Sequence, residues 1–336
     1  MKYDYDVVTL GSATVDLFAD TKSELIRIDT PSHHESLIAF PLGSKILVDS
    51  MDIQTGGGGT NTATAFARLG LRTAFLGKIG DDANGTLIKE KLAAEKIAFV
   101  GGEKGVSGLS VVLNSFANDR AILAYKGTNN FLEIEDVAPF TTRWIYLSSM
   151  MGQSLETAKR VIAKHDGKVA FNPSNYQAEL GYEALQDIID NVDFLVMNRE
   201  EASKLLGLDC NEARPVLELF KALRKLPPAL IAITDGSEGA YVYDRQAIYH
   251  ATPSRDLEVK ETTGAGDAFA ATLTAALACG CDIKQATLWA ITNSESVLKF
   301  RGAKEKLLTR DELIAQLENS RVCIDIIGHE KDLCAT

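Results

Sequence analysis

The chain has 336 residues, of which 46% are hydrophobic and 24% are charged, a balance typical of a folded protein with a large apolar core. Its formal net charge of −11 argues against general binding to nucleic acids or anionic membranes, because both rely on clustered Lys and Arg. The N-terminus has no long apolar segment, and the most apolar window, residues 268–280, is too short to cross a bilayer. We therefore expect a cytoplasmic protein that binds neither membrane nor nucleic acid.

Apolar β-rich runs alternate with helical patterns in the order "DVVTLG", "NTATAFARLG", "RTAFLGKIG", "GTLIKEKLAAEK", "RWIYLSS", "SLETAKRVIAKH", "KVAFNPS", "VDFLVMNRE" and "ALIAITDG". This order predicts an α/β fold with a mostly parallel central sheet and helices on both faces. Two segments, at about 36–55 and 107–127, alternate apolar and polar residues, and "FANDR" indicates a hairpin turn. We expect these segments to form a small antiparallel β lid inserted in one domain, 1–320. The tail, 321–336, contains "CIDII", which fits either a strand or a loose end.

The stretch "TGGGGTNTATAFARLG", residues 55–70, leads through four glycines into an amphipathic helix. Four glycines cost chain entropy, which is explained if Gly57, Gly58 and Asn61 approach a polyhydroxy ligand; a flexible loop is the alternative. Asp16, just beyond the first strand, can accept hydrogen bonds from sugar hydroxyls, although a surface turn fits it equally well.

The stretch "VMNREEA", residues 196–202, follows a buried-looking strand. Asn198 and Glu201 are three residues apart, which places them on one side of a helix start. An amide and a carboxylate there can hold the water shell of Mg²⁺. An N-cap residue followed by a first-turn Glu is the structural alternative.

The stretch "KETTGAGDAFAATLTAALACG", residues 260–280, sets bare backbone before a run that predicts a buried helix. The first turn of a helix has unpaired N–H groups and the positive end of the dipole, so it suits an anion. A carboxylate, Asp267, would repel a phosphate there unless it accepts a proton from a neighbouring hydroxyl; an N-cap role is the alternative. The chain has no GxxxxGK[ST], which excludes common P-loop NTPases, and no GxGxxG after the first strand, which disfavours an NAD-dependent oxidoreductase.

In this order and spacing, "GGGGTNTATAFARLG", "MNREEA" and "ETTGAGDAF" resemble the ribokinase family, also called the phosphofructokinase B family of carbohydrate and nucleoside kinases, over roughly residues 5–320. The resemblance implies a ribokinase-like three-layer α/β/α fold and an enzyme that uses ATP and Mg²⁺ to phosphorylate a hydroxyl group. It implies that Asp267 is the general base and that Gly264, Ala265 and Gly266 form an anion hole for the γ-phosphate.

The same resemblance implies further roles at matching positions. The acceptor would contact Asp16, Gly57, Gly58 and Asn61, while Asn198 and Glu201 would organise Mg²⁺ through water. The stretch "TDGSEGAYVY" is similar to the family's nucleotide loop, so the resemblance implies that the nucleotide contacts Thr234, Gly236 and Gly239. It also implies that Asn293 lies beside the adenine and Asn172 near the phosphates. The family usually has Asp where this chain has Glu261, so the resemblance leaves the adjacent monovalent-cation site open.

The sequence does not identify the acceptor. A plain sugar or nucleoside is favoured over a sugar phosphate, because no Arg or Lys cluster marks a second phosphate site. A sugar-phosphate kinase and a non-catalytic ligand-binding relative are the alternatives, and the intact Asp267 counts against the latter. The long lid segment 36–55 predicts either a homodimer formed through the lid or closure of the lid over the substrate.

Overall fold

The computed structural model of the protein describes residues 3–21, 25–30, 33–114, 120–209, 214–254, 257–318 and 320–334. Its strands are β1 (Tyr5–Leu10), β2 (Thr14–Thr21), β3 (Leu25–Thr30), β4 (His33–Ile38), β5 (Val48–Gly56), β6 (Thr73–Leu76), β7 (Lys78–Ile79), β8 (Ala98–Phe99), β9 (Gly102–Glu103), β10 (Gly108–Asn114), β11 (Arg120–Tyr125), β12 (Thr142–Leu147), β13 (Lys168–Phe171), β14 (Phe194–Asn198), β15 (Leu230–Thr234), β16 (Ala240–Tyr243), β17 (Ala247–Thr252) and β18 (Cys323–His329). Its helices are α1 (Gly58–Arg68), α2 (Ala83–Ala94), α3 (Gln153–Ile162), α4 (Asn175–Ala178), α5 (Gly181–Ile189), α6 (Arg199–Leu205), α7 (Val216–Leu223), α8 (Ala265–Ala278), α9 (Ile283–Leu298), α10 (Arg310–Leu317) and α11 (Glu330–Cys334).

A ten-stranded sheet forms the middle layer, in the order β18-β17-β16-β15-β14-β13-β12-β1-β6-β8. The strands from β15 to β8 are parallel, and β16, β17 and β18 are antiparallel additions at one edge. The parallel strands are continuous apolar runs, such as "FLVM" in β14, because both of their faces are covered. The predicted mostly parallel α/β sheet is confirmed.

Helices cover the two faces of this sheet with separate apolar layers. One layer includes buried side chains of α1, α8, α9 and α10, and the other includes those of α3, α5, α6 and α7. In the first layer α8 is rich in alanine, and its small side chains let it pack closely against α9. The start of α8 is therefore held firmly between α9 and the sheet.

A second, four-stranded sheet has the order β11-β10-β2-β5 and stands beside the main sheet as a lid. The predicted lid segments contribute β5, β10 and β11, whereas the participation of β2 was not predicted, because β2 follows β1 so closely. β5 is antiparallel to β2, and β10 is parallel to it. The predicted "FANDR" turn falls largely within 115–119, which lies outside the described residues. In the tail, β18 extends the main sheet beside β17.

The segment that follows α9, residues 299–309, joins the lid to the core. The Nη1 atom of Arg301 lies 2.8 Å from Oδ2 of Asp20 in β2. Nearby, Nζ of Lys304 donates a hydrogen bond of 3.1 Å to Oγ1 of Thr55 in β5. Two lid strands are thus tied to one short piece of the core. Within the described ranges, no helix is long and apolar enough to span a membrane.

Candidate active site

The start of α8 is built around Gly264. This residue is the N-cap of the helix and has φ 83°, a conformation that other residues rarely adopt. A Cβ atom at Gly264 would lie 2.4 Å from Cβ of Ala303, so a side chain would also collide. The first N–H groups of a helix have no partners within the helix, although the N–H of Ala265 donates a long bond of 3.4 Å to the carbonyl oxygen of Thr262, and Asp267 stands in this first turn.

The start of α1 is built in a similar way around Gly57, which has φ 92°. A Cβ atom there would lie 2.5 Å from the carbonyl oxygen of Ser12, because the connection between β1 and β2 lies against the start of α1. This turn connects β5 of the lid directly to α1. The first turn of α1 then presents Asn61 toward α8.

Asn61 and Asp267 meet at the junction of these two helix starts. Nδ2 of Asn61 donates a hydrogen bond of 2.9 Å to Oδ2 of Asp267. Oδ1 of Asn61 is buried and has no hydrogen-bond partner among the residues that the structure describes, so it can accept a bond from a ligand. A Cβ atom at Gly58 would lie 2.8 Å from Oγ of Ser148 and 3.6 Å from Oδ1 of Asp267, so Gly58 lies beside the carboxylate and its lack of a side chain avoids a clash with Ser148.

Asp16 stands beside the same junction. Its Oδ2 atom would be 1.8 Å from a Cβ atom at Gly56, so the glycine makes room for the carboxylate. Thr14 orients Asp16 by donating a hydrogen bond of 2.9 Å from Oγ1 to Oδ1. The structure therefore brings Asp16, Gly57, Gly58 and Asn61 close to the start of α8.

Burial raises the pKa of Asp267 from its ordinary value to about 6, while the hydrogen bond from Asn61 and the charge of Lys304 act in the opposite direction. Lys304 is partly exposed as a residue, but its ammonium group is desolvated, which lowers its pKa to about 7. Its Nζ donates a hydrogen bond of 2.7 Å to Oγ1 of Thr60, the residue before Asn61. The sequence offered no motif that singled out Lys304.

A small cavity of about 220 Å³ lies next to Asp267, and its lining includes Asn172, Asn198 and Glu201. Asn198 and Glu201 cap each other, each side chain accepting a hydrogen bond of 2.8 Å from the backbone N–H of the other residue. Burial, and then the charge of Asp267, raise the pKa of Glu201 to about 7, although the bond from Asn198 opposes this rise. The two carboxylates therefore face one cavity.

The oxygen-rich cavity fits a hydrated Mg²⁺ ion. In the part of the chain that the structure describes, no group of three His, Cys, Asp or Glu side chains could enclose a metal by itself. Mg²⁺ does not require such a cage, because it usually keeps several waters and binds one or two carboxylates together with substrate phosphates. Glu201 offers such a carboxylate, and Asn198 fixes its position.

A larger cavity of about 620 Å³ adjoins the small one and shares Thr234 and Gly266 with it. Its lining includes the predicted nucleotide residues Thr234, Gly236 and Gly239. The lining also includes Ala265 and Gly266, where the backbone of α8 begins. The size and the bare helix start suit a nucleotide with its phosphates at the α8 end.

Asn293 is not part of this cavity. It is fully buried, its Nδ2 donates to Oγ1 of Thr272, and its Oδ1 accepts from the backbone N–H of Leu308. A helix turns about 100° per residue, so the following positions, Ser294 and Glu295, face the cavity instead. A charged residue within a largely buried helix was the available signal for Glu295.

Glu261 lies just before the anion-binding turn. Its Oε1 atom accepts a hydrogen bond of 2.8 Å from Oγ1 of Thr263. Arg301, one basic neighbour considered from the sequence, pairs with Asp20 instead. The carboxylate of Glu261 therefore contacts the turn itself.

The family model described as "pfkB family carbohydrate kinase" matches residues 6–309. The chain therefore belongs to this family of kinases, which are phosphotransferases that act on hydroxyl groups. A ribokinase of Bacillus subtilis strain 168 is 31% identical over 285 residues, 81% of this chain and 90% of that protein. A nucleoside kinase of Methanocaldococcus jannaschii is 24% identical over 275 residues, 80% of this chain and 86% of that protein. The structure of a ribokinase from Cryptococcus neoformans var. grubii serotype A in complex with ADP superposes with a TM-score of 0.75 at 21% identity, covering 94% of this chain and all of that one.

Proposed function

We propose that this protein transfers the γ-phosphate of ATP to a hydroxyl group of a sugar or a nucleoside. The observation that carries the proposal is the hydrogen bond between Asn61 and Asp267 at the start of α8. It joins the glycine-rich start of α1, which suits a polyhydroxy ligand, to a carboxylate beside an anion-binding turn. The ribokinase and nucleoside kinase relatives support both acceptor classes.

In the proposed mechanism Asp267 is ionised above about pH 6 and accepts the proton of the acceptor hydroxyl. The hydroxyl oxygen attacks the γ-phosphorus, the bond from that phosphorus to the bridging oxygen breaks, and ADP leaves with the electron pair. Backbone N–H groups of Gly264, Ala265 and Gly266 stabilise the charge on the transferred group. The proton leaves Asp267 to solvent when the product departs.

The proposed metal role belongs to Glu201, oriented by Asn198. When bound, Mg²⁺ neutralises negative charge on the phosphates of the nucleotide. Glu201 would provide the carboxylate for its water shell, and its pKa is raised chiefly by burial and then by the negative charges of Asp267 and Glu200. Asn172, which lines the same cavity, is placed to contact phosphate oxygens or bound water.

The protein groups that would bind the acceptor substrate are chiefly oxygens that accept hydrogen bonds, namely the carboxylate of Asp16 and the unpaired Oδ1 of Asn61. Such groups suit hydroxyls and repel a second phosphate, which favours a plain sugar or nucleoside over a sugar phosphate. The ammonium group of Lys304, whose charge acts on Asp16, already donates to Thr55 and Thr60. A non-catalytic ligand-binding relative would have no use for the ionisable Asp267.

The test is a screen for acceptor-dependent production of ADP with sugars, nucleosides and sugar phosphates, followed by mass measurement of the phosphorylated product. We expect turnover with a plain sugar or nucleoside, and none with Asp267→Asn. Turnover only with sugar phosphates would contradict the acceptor class. Binding of ATP without turnover of any acceptor would favour the non-catalytic relative.

We also propose that the lid forms a homodimer with a second copy of the chain. Side chains alternate along a strand, so Met51, Ile53, Leu123 and Tyr125 share one lid face by register, and each is more than half exposed. This face is opposite to the one that holds Asp16, and although Val15 and Ala19 on the same face of β2 are buried, these four side chains of β5 and β11 are exposed. Exposed patches of this kind mark interaction sites.

Sedimentation velocity tests the homodimer. We expect a dimer at micromolar concentration that dissociates when Ile53 and Leu123 are both changed to Glu. Ile314→Glu, at an exposed position on α10, is the matched control and should leave the dimer intact. A monomeric wild-type protein at high micromolar concentration would contradict the proposal.

A further inference from the structure

The large cavity is lined by both polar and apolar groups. The start of α8 and Thr234 contribute polar groups, and Leu257, Val259, Ile291 and Leu298 contribute apolar walls. Aliphatic walls suit the flat face of a nucleobase, whereas the helix start suits phosphates. A nucleotide in this cavity would therefore place its base against the middle of α9.

One charged side chain, Glu295, stands among these apolar walls. It follows Ile291 by four residues and precedes Leu298 by three, so the three side chains share one face of α9. Glu295 is only 8% exposed. In the described part of the chain, no Lys or Arg forms an ion pair with it.

The carboxylate of Glu295 is held in place by one neighbour. Its Oε1 accepts a hydrogen bond of 2.6 Å from the backbone N–H of Ser254, and its Oε2 accepts one of 3.1 Å from Oγ of Ser254. An ionised carboxylate has about four acceptor positions, so two remain for a ligand. A buried carboxylate is unfavourable unless further donors reach it.

We propose that Glu295 selects the nucleobase of the phosphoryl donor by accepting a hydrogen bond from the 6-amino group of adenine. This inference rests on the proposed function, because it concerns the same nucleotide cavity. The negative charge of Glu295 would also repel phosphates, which favours a nucleotide whose phosphates lie at the start of α8. Adenine can donate from its amino group at the edge that faces α9, whereas a purine without that group cannot.

The experiment measures the dissociation constants of ATP and of purine ribonucleoside triphosphate, which lacks the 6-amino group, by calorimetry without an acceptor. Wild-type protein should bind ATP about tenfold or more tightly, the usual scale for a hydrogen bond to a charged group. Glu295→Ala should bind both ligands alike. Ser254→Ala removes one bond to the carboxylate but keeps the carboxylate, so it should discriminate as the wild type does.

Several results would overturn the proposal. Equal binding of the two ligands by wild-type protein would show that the amino group is not read. A uniform loss in Glu295→Ala, with discrimination kept, would show that Glu295 only holds Ser254. Tighter binding of GTP than of ATP would show that the carboxylate contacts another group of the nucleotide. So would a loss of affinity with 2′-deoxyATP but not with purine ribonucleoside triphosphate.

Two controls keep the outcome clear. If Glu295→Ala does not fold, Glu295→Gln retains an oxygen for the N–H of Ser254 and should discriminate less than the wild type; unchanged discrimination would overturn the proposal. Binding is measured apart from turnover, so base selection without phosphorylation of any acceptor would reject the proposed function alone. Turnover without base selection would reject only this inference.

Discussion

Asn61 donates to Asp267 across 2.9 Å and thereby joins residues that are 206 positions apart in the chain. The same bond lowers the pKa of Asp267 against the effect of its burial. In the proposed mechanism Asn61 would therefore act twice, since its unpaired Oδ1 would accept a hydrogen bond from the acceptor and its amide nitrogen favours the ionised form of Asp267.

We expect Asp267→Asn to keep the fold and nucleotide binding but to lower kcat by about a hundredfold or more, the usual scale for a general base. Asn has nearly the shape of Asp but cannot accept the proton. Steady-state kinetics with the best acceptor, together with calorimetry of ATP binding, provide the check. A kcat near that of the wild type would remove Asp267 from the role of base.

Asp16→Ala and Asn61→Ala should have different effects. Both should raise the KM of the acceptor by roughly 5-fold to 100-fold, as expected for an unpaired buried hydrogen bond, and leave the KM of ATP little changed. Only Asn61→Ala should also raise the pKa of Asp267 and move the acid limb of the kcat profile to higher pH. Identical pH profiles for the two variants would contradict the role of the Asn61 bond.

Lys304→Met should move that acid limb in the same direction, because the charge of Lys304 lowers the pKa of Asp267. Below about pH 7 Lys304 is mostly charged and favours the ionised base; above pH 7 it loses this charge, but Asp267 is by then already ionised. The change should therefore appear mainly between pH 5 and 7. Lys306→Met, at an exposed position nearby, is the control and should leave the profile unchanged.

Glu201→Gln should stabilise the protein above pH 7 in the absence of nucleotide. The pKa of Glu201 in the folded protein is about 7, above its ordinary value of 4.5. Its contribution to the stability of the folded protein is therefore fully present below pH 4.5 and is lost as the pH rises to 7. Gln avoids this loss, so the gain should be near zero at pH 4 and up to ~3 kcal/mol at pH 8. Urea denaturation at both values tests this, with Glu183→Gln, at an exposed position on α5, as the control. An equal gain at pH 4 would contradict the linkage.

Glu261 should make turnover only weakly dependent on potassium. Its carboxylate contacts Thr263 in the anion-binding turn, where a shorter Asp would leave space for a monovalent cation. We expect Glu261→Asp to increase the dependence on potassium. The measurement is kcat at fixed ionic strength with potassium exchanged for tetramethylammonium. A collapse of wild-type activity that potassium alone restores would show that the cation site functions with Glu261.

The sequence was most informative where backbone requirements select the residue. Gly57 and Gly264 have positive φ angles and have no room for a side chain, so they leave a visible pattern of glycines. The sequence has no comparable pattern to show which side of a helix a given residue faces. Asn293 lies one residue from Ser294 and yet is buried between helices, because a single position turns the side chain away from the cavity.

Tertiary contacts explain the other omissions. Lys304 reaches the start of α1 only because the segment after α9 folds back against β5, and nothing local marks that contact. Likewise, β2 belongs to the lid because it pairs with β5 and β10, which lie far along the chain. Local patterns predicted the elements themselves, whereas partners of this kind depend on the whole fold.

The segment that ties α9 to the lid has a thermodynamic consequence. α9 lines the nucleotide cavity through Ser294 and Glu295, and the chain that leaves its end contacts the lid at Asp20 and Thr55. Any coupling carried by this connection is reciprocal. The factor by which bound ATP changes the affinity for the acceptor must equal the factor by which the acceptor changes the affinity for ATP. A preferred order of loading would then come from rates of entry and release, since the equilibrium is the same by either route.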